Sequence, residues 1–218
     1  FRSGAAGMMA AVAASERGHH VVLLEKNEKL GKKLFITGKG RCNVTNAADM
    51  ETLFANVCTN AKFLYSAFYG FDNRAVMAMI EQAGCPLKIE RGDRVFPVSD
   101  HSSDVIGALT RILKKNGVEL RLYAKVQELL CRQSQEAGSE STVDAQRVCG
   151  VRLANGQEMA ADAVIVCTGG LSYASTGSTG DGLKFAEDTG HKVTACRPSL
   201  VPLETAQDWC RELMGLSL

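Results

Sequence analysis

The tightest constraint on the fold lies between Gly4 and Glu25, where a turn of small residues runs into a helix and then into a strand that ends on an acid. Gly4-Ala5-Ala6-Gly7 leads into an alanine-rich stretch, Met8 to Arg17. Gly18-His19-His20 turns the chain, and the apolar run Val21-Val22-Leu23-Leu24 closes on Glu25. Turn, helix and strand in this order are the parts of a βαβ dinucleotide-binding unit. Small residues let the backbone approach a pyrophosphate, and the first amides of the helix meet the phosphates at the positive end of its dipole. An acid at the tip of the next strand accepts hydrogen bonds from ribose hydroxyls. Glu25 stands 21 residues beyond Gly4, close to the spacing of about 20 that this requires.

The fingerprint G-x-G-x-x-G would set glycines at positions 2, 4 and 7, but position 2 is Arg2, followed by Ser3. No strand precedes the turn, and the chain opens on Phe1 rather than Met. The expectation is a fragment truncated at the first strand of the motif. The plainer alternative is an alanine helix packed on a sheet, with Glu25 a solvated strand end.

A second anion-binding feature follows. Lys26 to Lys33 is a mixed-charge connection, and then Gly38-Lys39-Gly40-Arg41 offers a flexible loop with exposed amides and two cations. Arg grips phosphate with two parallel hydrogen bonds. A third lies far along the chain, where Ala163-Val164-Ile165-Val166-Cys167 reads as a parallel strand buried on both faces and ends in Thr168-Gly169-Gly170. Glycines at the carboxyl end of such a strand mark where α/β sheets place ligands. Thr176-Gly177-Ser178-Thr179-Gly180-Asp181-Gly182 then opens a helix, Leu183 to Thr189, either as an anion site or with Asp181 as a simple cap.

Between these features the pattern alternates. Helical spacing covers 49–57, 61–68 and 74–82, the last capped by Asp72; a further helix over 104–116 is capped by Ser99 or Ser102 and stopped at Gly117. Strands are expected at 87–90, 95–98 and 118–122. Lys125 to Cys131, Arg147 to Leu153 and Glu158 to Ala160 form a three-stranded meander with a polar insert at 133–144 and an Asn155-Gly156 turn. A last strand spans 191–196, and Pro198 to Leu203 is extended.

The composition excludes several classes. Net charge is +1, which gives no basic field for nucleic acid. No apolar stretch approaches the ~20 residues of a membrane span. The eight cysteines include no C-x-x-C pair, which argues against a zinc site and a disulfide framework and fits a reducing cytoplasm.

Taken together, Gly4 to Ala11, Leu24-Glu25-Lys26, Gly31-Lys32-Lys33, Ile36 to Asn46, Arg94 to Asp100, Cys167 to Gly170, Thr176 to Gly182 and Pro198 to Leu203 resemble successive motifs of one bacterial flavoprotein family. Its members are NAD(P)/FAD-dependent oxidoreductases, described as aminoacetone-oxidase-like, and include 3-dehydro-bile-acid Δ4,6-reductases. The resemblance implies an α/β fold: a Rossmann-like FAD-binding domain with a β-meander over 1–196, leading at 197–218 into an inserted β-rich substrate domain. Ala174 stands where the family commonly has proline.

Carried over by motif, Gly4, Ala5, Ala6 and Gly7 would face the FAD pyrophosphate, and Glu25 the adenosine ribose, with Lys26 and Lys33 nearby. Gly40, Arg41, Cys42 and Asn43 would line the phosphate and flavin side. Val126 would meet adenine through its backbone, and Thr168 and Gly169 would pack on the dinucleotide. The implied activity is hydride transfer between NAD(P)H or an organic donor and a small or steroid-like substrate, with no residue singled out as acid or base. The implied partners are small molecules, without nucleic acid or membrane. The chain alone is expected to be inactive and to bind FAD poorly. The alternatives are a non-catalytic flavin-binding module and, less favoured by the meander, a methyltransferase using an adenosyl cofactor.

Overall fold

The computed structural model of the protein describes residues 3–133, 146–198, 204 and 206–213. Helix α1 (Ala5–Glu16) starts directly at the small-residue turn, with Gly4 as its N-cap, three residues earlier than periodicity suggests. Met8, Ala11 and Val12 recur at helical spacing and are all buried. Strand β1 (Val22–Leu24) follows and pairs in parallel with β5 (Glu119–Arg121), Leu23 lying opposite Leu120. Successive side chains on a strand point to opposite faces. Leu23 therefore enters one core, with α1 and the helix at Ser102–Lys115, while Leu24 enters a second, with the strands that follow Val126.

The first core is built mainly by α1 and α6 (Ser102–Lys115), whose Val105, Ala108, Leu109 and Leu113 are buried in i, i+3, i+4 register. Ile80 of α5 (Asn73–Gln82) and the thiol-bearing Cys42 and Cys85 complete it. Asp72 caps α5 as expected, its carboxylate accepting from the Ala75 N–H at 2.7 Å. The cap of α6 differs. His101 holds the N-cap position without a side-chain bond, and Ser102 is already helical, its hydroxyl donating to the Phe35 carbonyl at 2.9 Å.

Strand β4 (Arg94–Pro97) pairs antiparallel with β3 (Leu87–Glu90) on one side and with the short β2 (Thr45–Asn46) on the other. The connection before β2 is more ordered than its composition suggests. It holds helix α2 (Lys32–Ile36) and a 3-10 turn over Thr37–Gly40. The stretch 61–68 divides into a 3-10 turn, Ala61–Leu64, and α4 (Tyr65–Gly70), packed on α3 (Met50–Ala55) through Phe54 and Tyr65 at 4.6 Å between ring centres.

The meander forms as expected: β6 (Val126–Gln133), β7 (Gln146–Leu153) and β8 (Glu158–Ala160) pair antiparallel in that order. Gly150 is required where β7 passes β8, because a Cβ there would overlap the Met159 carbonyl. Val126, Val151, Leu153 and Phe185 of α7 (Asp181–Asp188) form the second core with Leu24. A short helix, α8 (Trp209–Glu212), ends the described chain.

Two strands expected from the sequence are not formed. Residues 163–167 and 191–196 carry no strand pairing, and Ile165 is 53% exposed rather than buried on both faces. An apolar run becomes a strand only where a neighbour pairs its backbone, and β1 is paired to β5 alone among the described residues. The polar insert falls almost wholly at 134–145, outside the described residues, as do Arg2 and most of the extended segment at 198–203.

Candidate functional site

The carboxyl ends of β1 and β5, the start of α1 and the loop before α7 converge around Glu25. Its main chain extends the parallel ladder: the N–H donates to the Arg121 carbonyl and the carbonyl accepts from Ala124 N–H, both at 2.8 Å. Its carboxylate is buried, only 3% exposed, so it is not a solvated strand end. A buried carboxylate persists only when donors replace water. Here Oε2 accepts from Ser3 N–H at 2.8 Å and the Ser3 hydroxyl at 2.6 Å, and Oε1 from Asn27 N–H at 2.9 Å and Asn27 Nδ2 at 2.7 Å.

The turn itself has the shape an anion needs. Ala5 and Ala6 are exposed while Gly7 is buried beneath them. Among the described residues, and apart from its chain neighbours, no atom lies within 4 Å of where a Gly4 side chain would begin. The first amides of a twelve-residue helix have no partner within it, and they lie at the positive end of its dipole. Ser3 locks the turn in place, since its carbonyl accepts from Gly31 N–H at 2.9 Å. Gly31 sits at φ +68°, against the side chain of Ile106.

Lys26, Asn27 and Lys33 tie this region to the loop between Ser172 and Asp181. Lys26 Nζ donates to Thr179 Oγ1 at 2.8 Å and to Asp181 Oδ2 at 2.7 Å. Asn27 Nδ2 also donates to the Thr176 carbonyl at 3.2 Å. Lys33 Nζ donates to the Ser172 carbonyl at 3.1 Å and lies 5.8 Å from the centre of the Tyr173 ring. Asp181 is the first residue of α7 rather than its cap, which is Gly180. Burial pushes the Asp181 carboxyl up, but Lys26, the Thr179 hydroxyl and Lys125 outweigh it and hold it below the usual carboxylate range.

Beside these tethers opens a small, shallow cleft, with Leu24, Ala124 and Val126 as its apolar lining and Lys26, Lys125, Thr168 and Asp181 as its polar one. Val126 is buried at the start of β6 and Thr168 is buried, whereas Gly169 is exposed at φ +73°. The loop at 166–168 runs so close to α7 that a side chain at Gly182 would overlap Thr168.

Gly40 to Asn43 form a separate cluster. Arg41 donates to Glu90 and, through Nε at 2.7 Å, to Asp100, and it stacks 4.1 Å from the centre of the Phe96 ring. Lys88 adds a bond to Asp100 at 2.7 Å. The Glu90 and Asp100 carboxyls are held low, the first mainly by Arg41 and the second by Lys88 and then Arg41; Glu90 in turn raises Arg41. Left-handed backbone recurs through this loop, at Gly38, Lys39, Gly40 and Cys42. Cys42 is fully buried, and burial pushes its thiol up. Asn43 is exposed, with its side-chain amide against the Thr45 and Val95 carbonyls.

Sequence reasoning passed over Ser3, Asn27 and Thr179, and read Asp181 only as a helix cap or part of a loop. Asn27 carried a usable signal only as a turn residue shortly after the strand. Ser3 carried none, since its contact spans 22 positions.

Residues 2–203 match the family described as HI0933-like protein Rossmann domain. The chain is 30% identical over 203 residues to a 3-dehydro-bile acid delta(4,6)-reductase of Clostridium scindens, covering 92% of this chain and 46% of that protein. It is 27% identical over 215 residues to a ribosomal RNA dihydrouridine synthase of Escherichia coli, covering 99% and 50%. It thus spans about half the length of the curated relatives it matches. Among solved structures, the open conformation of a flavocytochrome c3 fumarate reductase shares the fold, with a TM-score of 0.57 at 21% identity over 87% of this chain and 39% of that one. By the extent of the family match and the fold it shares, this chain belongs to the HI0933-like Rossmann-domain family.

Proposed function

We propose that this chain holds the adenosine-diphosphate half of FAD in an oxidoreductase. The observation that carries the reading is the buried Glu25 carboxylate at the end of β1, bonded to Ser3 beside the N-terminus of α1. A pyrophosphate fits over Gly4 and the exposed Ala5 and Ala6, where helix amides and dipole favour anions. Glu25 would take the ribose, and the cleft at Leu24, Ala124 and Val126 would take the adenine, Val126 contacting it through its backbone. Lys26 and Lys33 tether the neighbouring loop beside the proposed adenosine site.

Bound FAD supplies the hydride chemistry, and the chain supplies binding and orientation. NAD(P)H is the proposed donor and a small or steroid-like molecule the proposed acceptor. The reductase among the relatives supports this class. A net charge of +1 supports a small molecule over nucleic acid, which basic fields attract. Unpaired cysteines throughout support a cytoplasmic setting.

Calorimetric titration of the purified chain with FAD and with ADP tests the reading. ADP should bind and compete with FAD for one site. If neither nucleotide binds, or if both bind without competing, the adenosine-diphosphate assignment fails.

A further inference from the structure

We propose that the Ser3 hydroxyl is an internal stand-in for a ribose hydroxyl on Glu25, and that it sets how tightly this site holds adenosine nucleotides. This rests on the adenosine-diphosphate reading given above. A carboxylate offers about four acceptor positions. On Glu25 all four are engaged, two by Ser3 and two by Asn27.

The four donors differ in how readily they yield. Two are main-chain amides fixed by the fold. That of Ser3 is held between Glu25 and the bond from Gly31, and that of Asn27 by the bond its carbonyl accepts from Tyr123 N–H at 3.2 Å. The Asn27 side chain is anchored as well, because its amide also donates to the Thr176 carbonyl. The Ser3 hydroxyl turns about a single bond. Its 2.6 Å contact with Oε2 has the length of a charge-assisted O–H···O⁻ bond, the same bond a sugar hydroxyl would make.

A ribose hydroxyl arriving at Oε2 therefore exchanges one O–H···O⁻ bond for another of the same kind. Its net gain is small while Ser3 is in place. Without the Ser3 hydroxyl, a buried acceptor position stands open, and the ribose gains a bond with nothing to displace. The benefit is confined to ligands that carry ribose hydroxyls, since phosphate binding at α1 and base binding at the cleft involve other atoms. Ser3 is thus a positioning and affinity-setting residue for the nucleotide.

The test is calorimetric titration of the 218-residue chain and its Ser3→Ala and Ser3→Gly variants with ADP and with 2′,3′-dideoxy-ADP. The wild type should separate the two nucleotides by no more than about three-fold. Ser3→Ala should bind ADP about ten-fold more tightly than the wild type and leave 2′,3′-dideoxy-ADP unchanged. Ser3→Gly removes the hydroxyl without adding volume and should give the same pattern, so it decides the matter if the alanine variant does not fold. A merely structural role for Ser3 would move both nucleotides alike, and that result, or no change, or weaker ADP binding, overturns the proposal. Wild-type chain that binds neither ADP nor FAD removes the adenosine reading and this proposal together. Wild-type chain that binds both, with variants that do not discriminate, removes this proposal alone.

Discussion

Replacing Glu25 with Gln tests how much of the fold hangs on one buried carboxylate. The substitution keeps the shape and removes the charge and one acceptor oxygen. Whichever way the new amide turns, its NH₂ faces donors. Turned toward Asn27 it meets a main-chain N–H and a side-chain amide; turned toward Ser3 it meets a main-chain N–H and a hydroxyl that can rotate to accept. The second orientation loses least, and it still orphans the buried Ser3 N–H, at about 1–3 kcal/mol. The two remaining bonds to Asn27 lose their charge assistance, roughly another 1 kcal/mol together. The expected loss is about 3 kcal/mol, a large part of the roughly 5–15 kcal/mol by which domains are stable. For a chain of this size it corresponds to a fall in melting temperature of about 6–12 °C. Urea denaturation followed by circular dichroism measures it directly. A Glu25→Gln chain within 0.5 kcal/mol (about the scatter of surface substitutions) would show that the four-donor arrangement contributes nothing, and the reasoning would be wrong.

Lys26→Met should free the loop before α7, so that chymotrypsin cuts after the exposed Tyr173 about three- to ten-fold faster than in the wild type. The same bridge sets an acid limit: because Asp181 is held below the ordinary carboxylate range when folded, its contribution is complete above about pH 4 and drains as pH falls through the folded value, so the wild type should lose melting temperature in acid more steeply than Lys26→Met. Among the thiols, exposed Cys58 and Cys196 should be alkylated by iodoacetamide in the native chain, while Cys42 and Cys85, buried and with raised thiol values, should react only on unfolding; mass spectrometry of the modified peptides reads the order.

Much of this architecture is written in local pattern. The helix at 102–115 and the meander could be read because their apolar residues follow one period and their ends carry turn residues. The apolar run at 163–167 could not, because periodicity reports how apolar a segment is and says nothing of whether a neighbour will pair with it. The candidate site divides along the same line. Glu25 was visible from its spacing, but its saturation by Ser3 and Asn27 was not. Lys26 was visible as a cation near the turn, yet its partner lies 155 positions away at Asp181. Arg41 stood out in sequence as a cation able to grip phosphate, but its bonds to carboxylates from β3 and from the turn after β4 were not legible there. Charge can be counted from sequence; which charges meet depends on chain paths that only the fold determines.

The parallel pairing of β1 with β5 carries a consequence for the order of assembly. Val22 meets Glu119 across on the order of a hundred residues, whereas β7 and β8 meet across a single tight turn. Loop-closure entropy lets the hairpin form early and delays the parallel pair until most of the chain has collapsed. Glu25, whose main chain extends that pair, takes its place only then. A nucleotide can thus recognise only the finished fold, so it would slow unfolding and leave the rate of folding unchanged.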